Sequence, residues 1–210
     1  MKAYSPTHFA SDAPSWSATP PTGGLGNRGI VPLSSNRRLV YTNAGPYLIR
    51  LNADGTIDGT YTAPTLNNPP EFAAVQSDGK VILVGWFTTV SGNTRTRMCR
   101  LNADGTYDSS FPDVNLSDPG TAPRLSILAD NSIILLNSSD SFTIGGQSRN
   151  RLAKISAAGV VDATWNPQPN GTVNRVRQLS GGKVIVAGNF TTIGGQSRSR
   201  LARLNSDGTA

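Results

Sequence analysis

Short apolar runs rich in β-branched and leucine side chains punctuate the chain at wide, regular spacing. Those at 81–84, 133–136 and 184–187 each follow a Gly or Asn turn. Runs of this length between turn signals read as buried strands, whereas helices would show a 3.6-residue period over longer segments. Ahead of each run lies another extended segment (72–76, 124–128, 173–179), and after it a third, RMCRLN or its equivalents. An Asp-Gly turn, where φ > 0 is readily reached, then reverses the chain into a short fourth strand. The pattern predicts a four-stranded antiparallel meander.

That meander repeats. SDGKVILVGWFTTVSGNTRTRMCRLNADGTYDSSF (77–111) aligns with SGGKVIVAGNFTTIGGQSRSRLARLNSDGTA (180–210), and DNSIILLNSSDSFTIGGQSRNRLAKISAAGVVDATW (130–165) lies between them. A shortened copy, SNRRLVYTNAGPYLIRLNADGTIDGTY, occupies 35–61. The turn glycines Gly55, Gly105, Gly159 and Gly208 mark a period of about 50 residues, the spacing of propeller blades rather than of helical solenoids. The last copy reaches residue 210 without the Asp and aromatic that continue the others (Asp58/Tyr61, Asp108/Phe111, Asp162/Trp165). SDAPSWSATPPTGG (11–24) resembles the segment at 161–173, with Asp12 and Trp16 in those places. The expected fold is therefore all-β: a four-bladed β-propeller closed by an N-terminal strand, a "Velcro" closure that removes open sheet edges. Residues 1–25 form the leader and closing strand, and 26–210 the propeller, in a single domain.

GKVILVGWFTTVSGNTRTRMCRLNADGTYDSSF resembles the delta-60 repeat, a β-propeller repeat of undefined function found in bacterial and phage proteins. The resemblance covers roughly 26–210. It departs in the first copy, whose hairpin between Arg38 and Arg50 is shorter, and in the third, where LLNSSDS replaces Val-Gly-x-Phe.

Composition changes the picture by exclusion. One histidine (His8), one cysteine (Cys99) and one glutamate (Glu71) leave no zinc site of the Cys/His type and no internal disulfide. No apolar run approaches the roughly 18 residues of a membrane helix, and MKAYSPTHFASDAPSW has no apolar core of a secretory signal. The Asn-Ala-Asp-Gly-Thr-x-Asp stretches at 52–58 and 102–108 read as hairpin turns, because the acid order of a calcium loop is missing. Cys99 stands where other copies have Ala153 and Ala202 and reads as core. Tyr61, Phe111 and Trp165 read as inter-blade packing.

With a net charge of +6, the basic residues also follow the repeat: Arg95/Arg97/Arg100, Arg149/Arg151/Lys154 and Arg198/Arg200/Arg203, with Arg50 alone in the first copy. Strand alternation puts Arg95, Arg149 and Arg198 at the exposed hairpin end, a positively charged rim facing an acidic neighbour. The competing reading pairs the arginines with the repeated aspartates as struts between blades. Trp86, not repeated as an aromatic, is the exposed-aromatic candidate. Arg95, Arg149, Arg198 and Trp86 are thus the expected partner-binding residues; no catalytic residue, metal or cofactor is expected. The role expected is a non-catalytic structural or assembly protein, a phage virion component of the capsid surface or tail, bound to other structural proteins. The alternative is a glycan- or protein-binding propeller module on the bacterial surface or secreted. Nucleic acid is not the expected partner, because base-stacking aromatics are not clustered.

Overall fold

The computed structural model describes residues 27–118 and 123–210. Four three-stranded antiparallel sheets follow one another along the chain. The first is β1 (Asn27–Pro32), β2 (Arg38–Thr42) and β3 (Leu48–Leu51). The second is β4 (Pro70–Val75), β5 (Val81–Gly85) and β8 (Met98–Leu101), with β6 (Thr89–Val90) and β7 (Asn93–Thr94) forming a small hairpin between the last two. The third repeats this with β9 (Arg124–Ile127), β10 (Ile133–Leu136), hairpin β11 (Phe142–Ile144) and β12 (Gln147–Arg149), and β13 (Leu152–Ile155). The fourth has β14 (Val173–Gln178), β15 (Val184–Gly188), hairpin β16 (Thr192–Ile193) and β17 (Gln196–Ser197), and β18 (Leu201–Leu204). A single 3₁₀ turn, Ser180–Gly182, is the one helical element among the described residues.

The expected three strands of each meander are present and in register, Val84 opposite Met98 and Leu136 opposite Leu152. The fourth strand shrinks to one bridge in each of the first three copies: Leu51 to Ile57, Leu101 to Tyr107 and Ile155 to Val161. The cause is the aspartate that follows. Asp108 Oδ1 accepts from the Ser110 N–H and hydroxyl, at 3.0 and 2.6 Å, and this Asx turn bends the chain away from the ladder.

Alternation along the central strands serves both faces of each sheet. Val81 and Leu83 pack with Leu39 and Tyr41 of the first sheet, while Ile82 and Val84 pack with Ile133 and Leu135 of the third. Ile134 and Leu136 in turn meet Val184 and Val186 of the fourth. Three hydrophobic clusters thus glue four sheets in sequence, which is the propeller-like stacking the repeat predicts. No cluster among the described residues joins the fourth sheet to the first. The expected closing strand at 11–16 lies outside the described residues, as do Asp12, Trp16 and His8.

Polar struts reinforce two of these joints. Arg50 Nε donates to Asp58 Oδ2 at 2.8 Å, and its Nη1 reaches the carbonyl oxygen of Ala103 on the next sheet at 2.8 Å. Arg100 does the same with Asp108, at 2.7 Å, and with the Ala157 oxygen. Each guanidinium also lies over an aromatic ring, Tyr61 at 4.7 Å and Phe111 at 4.8 Å. The competing reading of these arginines as inter-blade struts therefore holds for Arg50 and Arg100, while Lys154 makes a looser 3.8 Å pair with Asp162. The aromatics plug the next sheet's turn as expected. A Cβ on Gly105, whose φ is +93°, would sit 2.6 Å from the Tyr61 ring, so only glycine permits that approach.

The hydroxyl and N–H of Thr60, with Arg50, hold the Asp58 carboxyl down at about 2. Burial pushes Asp108 up, but Lys80, Ser110 and Arg100 outweigh it and keep it well below the usual carboxylate range. Both groups therefore contribute stability that is complete above the ordinary carboxylate value of 3.8 and is lost as pH falls through the folded values. The melting temperature should be level from pH 7 to 5 and decline below 4, continuing towards 2. Arg100→Met, which leaves the buried Asp108 carboxylate with Lys80 as its one cationic partner, should lower unfolding free energy in urea by about 3 kcal/mol. A flat acid profile, or an Arg100→Met protein as stable as the parent, overturns the role given to the struts.

Candidate functional site

The three arginines expected to form a rim have different surroundings. Arg149, expected to be exposed, is buried, with 3% of its surface accessible. Its Nη2 donates to the carbonyl oxygens of Asp162 and Ala163, at 2.8 and 3.2 Å, and its Nη1 to that of Ser148. Burial draws its pKa down, against the pull of Asp162. The expectation fails because β12 ends beside the returning chain at 162–163, whose carbonyls take the guanidinium. Arg95 is half-buried, 4.9 Å above the Tyr107 ring. Arg198 alone is exposed, donating to the Ser197 oxygen at 2.8 Å. The structure therefore makes no ring of these three. Trp86 is 43% exposed, and Arg97 lies 5.5 Å over its ring. The other Arg97 bond runs to the Leu116 oxygen on the way to the third sheet, so Trp86 belongs to the brace around that link.

Cys99 is buried in the cluster between the first two sheets, and burial pushes its thiol up, away from the thiolate a nucleophile needs. The turn aspartates are occupied locally: Asp104 Oδ1 takes the Thr106 N–H and hydroxyl at 2.9 and 2.6 Å, and Asp54 and Asp207 repeat this with Thr56 and Thr209. These bonds lower all three carboxyls.

Unused positive charge lies elsewhere, on the first strands of the third and fourth sheets. Phe72, Arg124 and Arg175 hold equivalent places on β4, β9 and β14, opposite Val84, Leu136 and Ala187. With Leu125, Ser126, Leu136, Asn174 and Val176 they line a groove of about 290 Å³. Arg124 and Arg175 are both exposed. Arg175 bonds only to the carbonyl of its neighbour Asn174, at 2.8 Å, and Arg177, two residues on, is exposed as well. Nearby Arg28 and Glu71 pair across β1 and β4, which leaves the groove itself without a carboxylate. The groove thus offers a shallow, partly apolar floor with two guanidinium groups above it, a surface suited to carboxylates or other oxyanions. Sequence reasoning missed it because these arginines do not recur in every copy; the visible signal was Arg at 124 and 175 where the second copy has Phe72.

A family model described as "Domain of unknown function (DUF5122) beta-propeller" matches residues 40–61, 76–111, 129–164 and 180–210, more than half of the chain. Two solved structures share the fold. One is a streptogramin B lyase structure, 15% identical with a TM-score of 0.54, covering 86% of this chain and 54% of that one. The other is a gluconolactonase from Xanthomonas campestris, also 15% identical, with a TM-score of 0.50, covering 87% of this chain and 60% of that one. The chain thus spans little more than half the length of either. No curated protein matches it. At this identity the likeness shows the fold alone, yet it corrects one expectation. Enzymes, a lyase and a lactonase, are built on this fold, so a shortage of histidine, cysteine and glutamate does not make the chain non-catalytic.

Arg149 and Arg198 give a direct test of the burial argument. Arg149→Glu puts a carboxylate against three backbone oxygens and should cost about 3 kcal/mol or more in urea unfolding. Arg198→Glu should change stability by less than about 0.5 kcal/mol. Equal losses at the two positions would refute the different placements.

Proposed function

The chain belongs to the DUF5122 β-propeller family, and we propose that it is a docking module that holds an acidic segment of a neighbouring protein in the groove between β4, β9 and β14. The observation that carries this reading is the pair Arg124 and Arg175, exposed over an apolar floor with no carboxylate in the lining. A guanidinium without an internal partner keeps its full capacity for bidentate bonds to a carboxylate. Phe72, Leu125 and Val176 supply apolar area beside the charges, so a segment mixing acidic and apolar residues suits the groove better than a uniformly charged polymer.

The setting we propose is an assembly, a phage virion part of the capsid surface or tail, which rests on the resemblance of the repeat to the delta-60 repeat. Completion of the last sheet belongs to the same reading: residues 11–16, which resemble 161–173, supply a fourth strand beside β18. Among the described residues no helix is long and apolar enough to cross a membrane.

A fluorescein-labelled peptide alternating Glu and Leu should bind the purified chain, with affinity falling as salt rises. Arg124→Glu combined with Arg175→Glu should weaken it at least tenfold, while Arg198→Glu leaves it unchanged. Binding that survives the double variant, or a sulfated glycan that binds better than the peptide, overturns the reading.

A further inference from the structure

The first strands of three sheets carry the same irregularity. The register slips at Arg28 between β1 and β2, at Glu71 between β4 and β5, and at Asn174 between β14 and β15. Each slip is a β-bulge one residue ahead of the place held by Gly29, Phe72 or Arg175, a device that re-aims the side chain of the extra residue. The strand opposite is shaped to accept it. A Cβ on Gly85 would lie 2.8 Å from Pro70 Cα and 2.9 Å from the Glu71 nitrogen, so a side chain there would push the bulge out. Asn174, the bulged residue of β14, lines the groove beside Arg175. The other two bulged residues, Arg28 and Glu71, are paired with each other.

Glu71 is the one glutamate of the chain, and it stands between two cations. Its strand β4 lies beside β1 on one side and beside β9 on the other. Arg28 comes from the first neighbour. Arg124 comes from the second, at the place equivalent to Phe72, the residue that follows Glu71. Glu71 and Arg124 also act on one hydroxyl, that of Tyr41. Burial pushes it above its ordinary value, the Ala73 backbone and the Arg124 charge pull it back, and the Glu71 charge pushes it up. Only 17% of the Glu71 side chain is accessible, so its carboxylate needs a cation wherever it turns. Arg28 supplies that cation, and Arg124 stays exposed over the groove.

We infer that Arg28 is a positioning residue for the groove: by holding Glu71 it keeps the chain's own carboxylate off Arg124 and leaves that guanidinium open to a partner. Without Arg28, the cation on the other neighbouring strand is Arg124. The pair that then forms masks one of the two charges above the apolar floor. This inference rests on the groove reading for its effect on binding, whereas the partner that Glu71 takes is a property of the chain alone.

Two measurements test it. The labelled Glu-Leu peptide should bind Arg28→Met at least fivefold more weakly than the parent. Arg28→Lys should stay within about twofold of the parent, and so should Arg28→Met combined with Glu71→Gln. Arg198→Glu, which removes more positive charge, keeps the parent affinity, so net charge does not account for the loss. A loss that Glu71→Gln does not restore would mean that Arg28 only braces β1 against β4 or touches the peptide itself, and it overturns the inference. The second measurement needs no peptide. With glutamate carbon-13 labelled at its side-chain carboxyl, Glu71 gives a single resonance at neutral pH. Arg124→Gln should leave that resonance in place in the parent and shift it in Arg28→Met. A resonance that ignores Arg124 in both backgrounds, or follows it in both, overturns the inference. A parent that does not bind the peptide, with the resonance behaving as expected, removes the groove reading and upholds the hold of Arg28 on Glu71.

Discussion

The structure depends on one requirement, that a guanidinium held between two sheets be satisfied on every side. Arg50 meets it with four partners of different kinds: the Asp58 carboxylate, the Thr60 hydroxyl, the Tyr61 ring and the Ala103 carbonyl of the next sheet. Three belong to its own copy and hold the side chain ready; the fourth lies across the joint and fixes spacing. Arg100 repeats the arrangement with Asp108, Ser110, Phe111 and Ala157. A slip of one residue at either joint would leave a buried charge facing no acceptor, which is far costlier than the loss of one methyl contact. The apolar faces alone, made of similarly sized Ile, Leu and Val, would tolerate such a slip. The strut therefore sets the register between sheets, and the hydrophobic clusters supply the bulk of their attraction.

This division explains which parts of the fold could be read from the chain. The second strand of the second and third copies was legible to within a residue, because both its faces are buried and the runs at 81–84 and 133–136 have no polar interruption. The Asp-Gly turns were legible because Gly105 and Gly208 have φ values that other residues resist. The fourth strand was not. Its sequence, T-x-D, looks like a continuing extended segment, and only the partners of Asp58 and Asp108 show that the aspartate leaves the ladder to hold an arginine. Closure of the ring lay further out of reach, since curvature depends on the angle at each joint and not on repeat number.

The candidate site shows the same limit in sharper form. Arg149 and Arg198 occupy one motif position, Gly-Gly-Gln-Ser-Arg in both copies, yet one is buried and the other exposed. The difference is the chain at 162–163, which lends its carbonyls to Arg149 and has no described counterpart near Arg198. Identity of motif fixes what a side chain can bond to; the neighbouring copy decides whether the bond is made. Reading a charged rim from repetition alone assumed that repeated positions share an environment, which fails wherever the neighbouring segment differs.

Periodicity therefore separates structural from available charge in the opposite sense to first intuition. Arg50 and Arg100 recur because each joint needs the same strut, and they are buried in making it. Arg124 and Arg175 sit where the second copy places Phe72, so no joint requires a cation there, and none of the internal bonds that hold the sheets together involves their guanidinium groups. A cation that serves no joint keeps its hydration and its bonding capacity for an outside partner. Arg203 marks the boundary between the two classes. It has the recurrent position of a strut and the exposure of a free charge, because its acceptor is a carbonyl that must come from the next sheet in the array.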